Sequence, residues 1–219
     1  MPEVLVVSGS GPYADSWHPF PETSGRLAAI IRGLGHFVEV TEEVEGALAQ
    51  PGLPDLLVVN IGNPEHPRPA DRIAAAAKGL IGHIDAGRAL LGVHASATSL
   101  TTMPAWPAII GGRWMRGRTM HPPQGRSSIR IRTDSHPIAA GIADFEIFDE
   151  RYSYLQTDAD IDVLCEHEYE DVKHPLAWAR EAGPARVVYD GLGHDARSYD
   201  SQGHVQLVQR SVQWLLRQL

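Results

Sequence analysis

The sequence predicts an α/β protein: a mostly parallel sheet covered by helices on both faces, with antiparallel strands added in its second half. Three observations carry this reading. Apolar runs alternate with amphipathic helical stretches through the first half of the chain. Those runs lack the in–out polarity of a half-exposed strand, as expected where helices cover both faces. In the second half the runs alternate in polarity and are separated by turns, with few helices, which marks strands exposed on one side.

Each element has its own warrant. Val4–Val7 is a short apolar strand that closes in Ser8-Gly-Ser-Gly11. From about Glu22 to Leu34 the helical period puts Leu27, Ile30, Ile31 and Leu34 on one face, and Gly35 ends the helix. Phe37–Val40 reads as the second strand. Asp55–Asn60 is the third, opened by Pro54 and closed by Gly62-Asn-Pro64. Arg68 to Asp85 is alanine-rich and helical, with Gly87 after it, and Arg88–Val93 is the fourth strand. Further strands are expected at about Ser127–Arg132 (Ile129 and Ile131 against Arg130 and Arg132), Phe145–Tyr154, Val163–His167 and Arg186–Tyr189. A last helix is expected from about Val205 to Leu219, with Leu207, Val208, Val212, Leu215 and Leu216 apolar. Without linker, repeat or low-complexity tract, residues 1–219 read as one domain.

Composition narrows the function. At 43% hydrophobic residues the chain can bury a core, and its net charge of −8 argues against a nucleic-acid partner. One cysteine, Cys165, excludes an intrachain disulfide framework. No apolar run approaches the ~20 residues of a membrane span. The first strand begins at once, with no signal peptide, so a cytoplasmic protein is expected. The acidic surface suits a small-molecule enzyme, with a homodimer as a possible assembly.

The most informative stretch is Arg88-Ala-Leu-Leu-Gly-Val-His94-Ala-Ser96. A buried strand followed at once by small residues is the outline of a nucleophile elbow, the strand-to-helix turn that holds one side chain at the carboxyl edge of a sheet. The nucleophile slot holds an imidazole, which serves far more often as a base or metal ligand. Ligands of open α/β sheets bind outside the carboxyl ends of the strands. The polar groups expected there are His18, Asn60, His66, His94, His121, Asp149, Glu150, His174 and His194. His94 and His194 follow apolar strands directly and are framed by small residues, so they are the leading candidates; His121 and His174 each precede proline in loops. His18, before Pro19, reads as a solvated loop residue, and His36, His83 and His204 read as structural. No H-E-x-x-H or paired cysteine is present, so a metal would have to be assembled from distant segments. Ser8-Gly-Ser-Gly11 lacks the third glycine of a dinucleotide fingerprint; it reads as a flexible turn, and no nucleotide cofactor is expected.

The chain resembles the ThuA-like, or trehalose-utilisation, family of the class I glutamine amidotransferase-like superfamily. The resemblance rests on Leu91-Gly-Val-His-Ala-Ser96, Trp106-Pro-Ala-Ile-Ile-Gly-Gly112, Ser135-His-Pro-Ile138, Asp149-Glu-Arg-Tyr152, His174-Pro-Leu-Ala-Trp178 and Arg186-Val-Val-Tyr-Asp-Gly-Leu-Gly-His-Asp195. It implies a flavodoxin-like three-layer α/β/α sandwich, a role in sugar metabolism and, as in some members, a divalent metal held by histidines. His94 stands where the superfamily has its cysteine, and no glutamate follows His194-Asp195 as His-x-Glu, so glutaminase chemistry is not expected.

The leading expectation is therefore an enzyme on a (keto-)glycoside or related carbohydrate, of hydrolase, lyase or isomerase type. His94 or His194 would be the base, with Asp149 or Glu150 as acid or metal ligand. A zinc or manganese ion would be held by His94, His121, His174 and His194. Tyr152, His121, His174, Trp178, Trp17 and Trp114 would line the sugar. The alternatives are a non-catalytic sugar- or metabolite-binding protein and a metal-dependent hydrolase of another small substrate.

Overall fold

The computed structural model describes residues 1–50 and 54–219. It has β1 (Glu3–Ser8), α1 (Phe20–Gly33), β2 (Phe37–Thr41), α2 (Val44–Ala49), β3 (Leu56–Asn60), α3 (Ala70–Asp85), β4 (Ala89–Val93), α4 (Ala105–Ile110) and β5 (Gly112–Arg113) in the first part. Then follow β6 (Gly125–Ile131), β7 (Phe145–Asp149), β8 (Gln156–Thr157), β9 (Asp162–Tyr169), β10 (Val172–Ala182), β11 (Ala185–Asp190) and α5 (Gln202–Leu215). Nine strands form one sheet in the order β2-β1-β3-β4-β11-β10-β9-β6-β7; β5 and β8 pair separately. β2, β1, β3, β4 and β11 run parallel. β10, β9, β6 and β7 continue antiparallel.

Side-chain alternation explains the three layers. Val4 and Val6 of β1, Leu56 and Val58 of β3, and Leu91 and Val93 of β4 pack with α1 (Leu27, Ile31) and α5 (Leu207, Val208, Val212). Their neighbours Val7, Leu57, Val59 and Leu90 face the other way, onto α2 (Leu48), α3 (Leu80) and α4 (Trp106, Ile110). With both sides covered, β3 and β4 are buried along their whole length, which is why their sequences show no polar alternation.

Three differences from the sequence reading matter most for the site. β10 was not expected as a strand, because Pro175 cannot donate to a ladder. The register shifts on either side of Ala177, so Pro175 sits beside a bulge that tolerates it. The strand expected over Phe145–Tyr154 stops at Asp149, and residues beyond it turn away. Ser8–Gly11 is a packed turn: a Cβ on Gly9 would lie 2.6 Å from the Tyr13 carbonyl and the Phe20 ring.

Strand direction places the site. β7 is the fourth antiparallel step from β11, so its carboxyl end rises at the same edge as those of β1, β4 and β11. In a flat sheet four strands would separate the ends by roughly 19 Å. Yet the Gly193 amide, just past β11, donates to Asp149 Oδ2 at 2.8 Å. The extension curls back, because β6 pairs with β9 only through Arg130 and Ile131 and with β7 through Gly125–Ile129. Glu150 thus arrives beside His94 and His194.

Candidate metal centre

Four side chains from four segments converge at this edge: His18 after β1, His94 after β4, Glu150 after β7 and His194 after β11. Each offers one donor atom, and these atoms lie within 4.8 Å of one another. Among the described residues this is the one group of three or more His, Cys, Asp or Glu so arranged. The ring centroids of His18 lie 5.2 Å from those of His94 and 4.8 Å from those of His194, and His94 and His194 are 5.3 Å apart.

His94 sits in the left-handed region at φ 40°, at the head of a single 3₁₀ turn spanning His94–Thr98. A side chain there costs of order 1–3 kcal/mol, and such strain concentrates at functional turns. Gly92 makes the turn possible, since a Cβ there would meet Ser96 Oγ at 2.9 Å. The His94 Nδ1–H donates to the Gly191 carbonyl at 2.8 Å, which fixes the tautomer and leaves Nε2 with a bare lone pair. That Nε2 is buried, unpartnered and 3.5 Å from Glu150 Oε2.

His18 is held in the same manner. Its Nδ1–H donates to the Asp15 carboxylate at 2.8 Å, while Asp15 Oδ1 also accepts the backbone N–H groups of Trp17 and His18. Its Nε2 is again buried without a partner. The carboxylate–imidazole arrangement is that of histidines that ligate metals. Burial, with the His94 ring beside it, pushes the His18 imidazole down to about 4, so it is neutral and able to donate at neutral pH. The solvated role expected for His18 does not hold: its side chain is only 15% exposed.

His194 Nδ1 lies 3.1 Å from Glu150 Oε2 without hydrogen-bond geometry. Burial alone would raise the Glu150 carboxyl and lower the His194 imidazole. The attraction between them wins: Glu150 is held well below the usual carboxylate range and His194 is raised.

The other expected site residues fall in several places. Tyr152 is buried, with its ring 4.3 Å from that of His94 and 4.8 Å from that of Trp114. His121 lies at the rim, 37% exposed, with Nδ1 3.6 Å from Glu150 Oε1, outside the donor group. Trp17, next to His18, is 69% exposed. Asp149 is fully buried; its oxygens accept the N–H groups of Glu150, Gly193 and His194 and the Ser198 hydroxyl. His174 is not in the cluster. Its Nδ1 accepts the Tyr154 N–H, so Nε2 carries the ring proton and has no lone pair for a metal. Trp178 is core rather than sugar-facing, with no exposed surface, its indole N–H on the Ile110 carbonyl and its ring against Tyr189. Cys165 is sealed within β9. The residue that sequence reasoning passed over is His18; its signal was position, in the loop that follows the carboxyl end of the first strand.

A model of the family described as "Trehalose utilisation" matches residues 3–215. The chain belongs to the ThuA family. No curated protein matches the sequence. Among solved structures, a ThuA-like protein from Parabacteroides merdae superposes with a TM-score of 0.80 at 17% identity, covering 98% of this chain and 90% of that one. A cytoplasmic protein from Salmonella typhimurium gives 0.64 at 13% identity, over 99% and 98% of the two chains. A cold-adapted β-galactosidase from Rahnella gives 0.65 at 10% identity, where 97% of this chain matches 31% of that one. These likenesses establish the class I glutamine amidotransferase-like fold for this ThuA protein. No helix among the described residues is long and apolar enough to cross a membrane.

Proposed function

We propose that this ThuA-family protein is a cytoplasmic, metal-dependent enzyme of sugar metabolism, acting as a hydrolase or lyase on a keto-glycoside or related carbohydrate. The observation that carries this is the donor group itself: His18, His94, His194 and Glu150, with three buried imidazole nitrogens that make no hydrogen bond. Leaving a polar atom buried and unpaired costs about 1–3 kcal/mol. Three such atoms facing one another beside a carboxylate fit a divalent cation, and three imidazoles with one carboxylate suit zinc or manganese. The family's link to trehalose utilisation supports a carbohydrate substrate.

When bound, such an ion would polarise a substrate carbonyl oxygen and offset the charge that develops on it. The chain's own residues supply the rest. A ketone acidifies the neighbouring C–H. His121, the most exposed imidazole beside Glu150, takes that proton and returns it to the departing glycosidic oxygen. A C–H and a C–O bond break as a C=C bond forms. Trp114, half-buried and backed by the buried Tyr152 ring, gives the sugar an aromatic surface.

Elemental analysis and calorimetry with Zn²⁺ and Mn²⁺ test the metal, and turnover of keto-glycosides tests the chemistry. One ion per chain and metal-dependent turnover are expected. No uptake of either ion overturns the metal, and sugar binding without turnover makes the protein a binding module instead.

A further inference from the structure

We infer that the buried chain Asp190–His204–Ser198–Asp149 is a positioning network that sets the two segments, 149–150 and 193–194, which carry Glu150 and His194. The network is read from contacts alone; its consequence for a metal rests on the function proposed above.

All four side chains are at most 4% exposed. The His204 Nε2–H donates to Asp190 Oδ2 at 2.9 Å. The Ser198 hydroxyl donates to Asp149 Oδ2 at 2.6 Å. That commits the hydroxyl's only proton, so at the 2.8 Å contact with His204 Nδ1 the serine oxygen accepts. Both ring nitrogens of His204 then carry protons, and a cationic imidazole links two carboxylates, one directly and one through Ser198. Asp190 raises the His204 imidazole against the effect of its burial, in agreement with this assignment.

The far end of the chain shows its purpose. Asp149 collects four hydrogen bonds: Oδ1 from the Glu150 and His194 amides at 2.8 and 3.1 Å, and Oδ2 from the Gly193 amide and Ser198. Three of the four donors belong to, or adjoin, residues that bear donor atoms of the candidate centre. At the near end, Asp190 Oδ1 takes the Leu192 amide at 3.0 Å, so the loop after β11 is gripped from both sides. Gly193 adopts φ 101° there, and a Cβ would lie 2.6 Å from the Tyr199 hydroxyl. An apolar cluster of equal volume would serve stability at least as well as buried charges do. What an apolar cluster cannot do is aim two backbone segments through directed hydrogen bonds, the task that outer-shell groups perform around metals.

The test compares wild type with Ser198→Ala, which removes one uncharged link, and with Asp190→Asn, which removes the charge that holds His204. Two readouts separate aim from stability: amide hydrogen exchange at Glu150, Gly193 and His194 in the metal-free protein, and the d–d spectrum of the Co²⁺-loaded protein. Both variants are expected to speed exchange at those three amides at least tenfold relative to amides in β3. Both should shift the cobalt bands and weaken Zn²⁺ binding by about 10–100-fold. Exchange and spectra that match wild type, even with a lowered melting temperature, overturn the inference and leave a merely structural network. If wild type takes up no metal, the proposed function fails alone, because the exchange comparison still decides the network.

Discussion

The molecule holds two close pairs of histidines, and they differ in what surrounds their free nitrogens. At the carboxyl edge of the parallel strands, His18 and His94 each donate Nδ1–H to a fixed acceptor, Asp15 and the Gly191 carbonyl, so both Nε2 lone pairs are free. In the antiparallel extension, His167 and His174 face each other across β9 and β10 with ring centroids 5.3 Å apart. His167 donates Nε2–H to the Tyr152 carbonyl, and His174 accepts the Tyr154 N–H. Their contacts go to the 152–154 segment, and His167, like His94, keeps one buried ring nitrogen without a partner. Proximity is alike in the two pairs; what marks the first as candidate ligands is the Glu150 carboxylate and third imidazole beside it, which among the described residues the second pair lacks.

The widest gap between the pairs is expected in metal uptake. His94→Ala removes a donor, and metal affinity should fall by more than the roughly 10–100-fold that outer-shell changes cost. His174→Ala should leave uptake at wild-type stoichiometry. It should instead destabilise the protein by about 1–3 kcal/mol, because the Tyr154 amide loses its acceptor. Calorimetric titration and urea melts on both variants check the contrast; loss of metal from His174→Ala would dissolve it.

Next in size is the orientation of His18. Asp15→Ala removes the acceptor that fixes its tautomer. Metal affinity should drop about 10–100-fold, while Asp15→Glu should recover part of it. Equal affinity in Asp15→Ala and wild type would show that the tautomer does not depend on this carboxylate.

How much of this was legible beforehand follows from the same physics. β1, β3 and β4 were readable because helices cover both faces and force continuous apolar runs. β10 was hidden by Pro175, whose tolerance depends on a bulge formed with a partner strand. His94 was visible because it directly follows an apolar strand, and His194 because it comes soon after one, framed by glycines. His18 lies ten residues beyond the last residue of β1, and only the Asp15 turn brings it back over the edge. The exclusion of His174 could not be read at all, since it depends on a hydrogen bond from Tyr154, twenty residues away in sequence.

The second pair should also leave a mark in acid. Burial pushes the His167 imidazole down to about 4 from an ordinary 6.5. A histidine lowered on folding binds its proton more readily in the unfolded chain, so its contribution to stability is present above pH 6.5 and is lost as pH falls toward 4. The full loss is of order 3 kcal/mol. Denaturant melts across this window should show stability falling with acid, and His167→Gln should flatten part of the decline. A wild-type profile level from pH 6.5 to 4 contradicts a neutral, buried imidazole at this position. Because His18 titrates with the same sign when metal-free, the comparison is best made between His167→Gln and wild type in one buffer series.

The smallest effect on stability is expected at Trp17, and there function should separate from fold. Its ring is 69% exposed, so Trp17→Ala should change stability by no more than about 0.5 kcal/mol. Trp178, fully buried against Tyr189, should cost about 3–5 kcal/mol when cut to alanine. If Trp17 flanks the sugar as its neighbour His18 holds the metal, Trp17→Ala should raise KM with little change in kcat, the signature of lost binding that is equal in ground and transition states. An unchanged KM would assign the exposed indole no part in substrate recognition and leave Trp114 as the aromatic surface for the sugar.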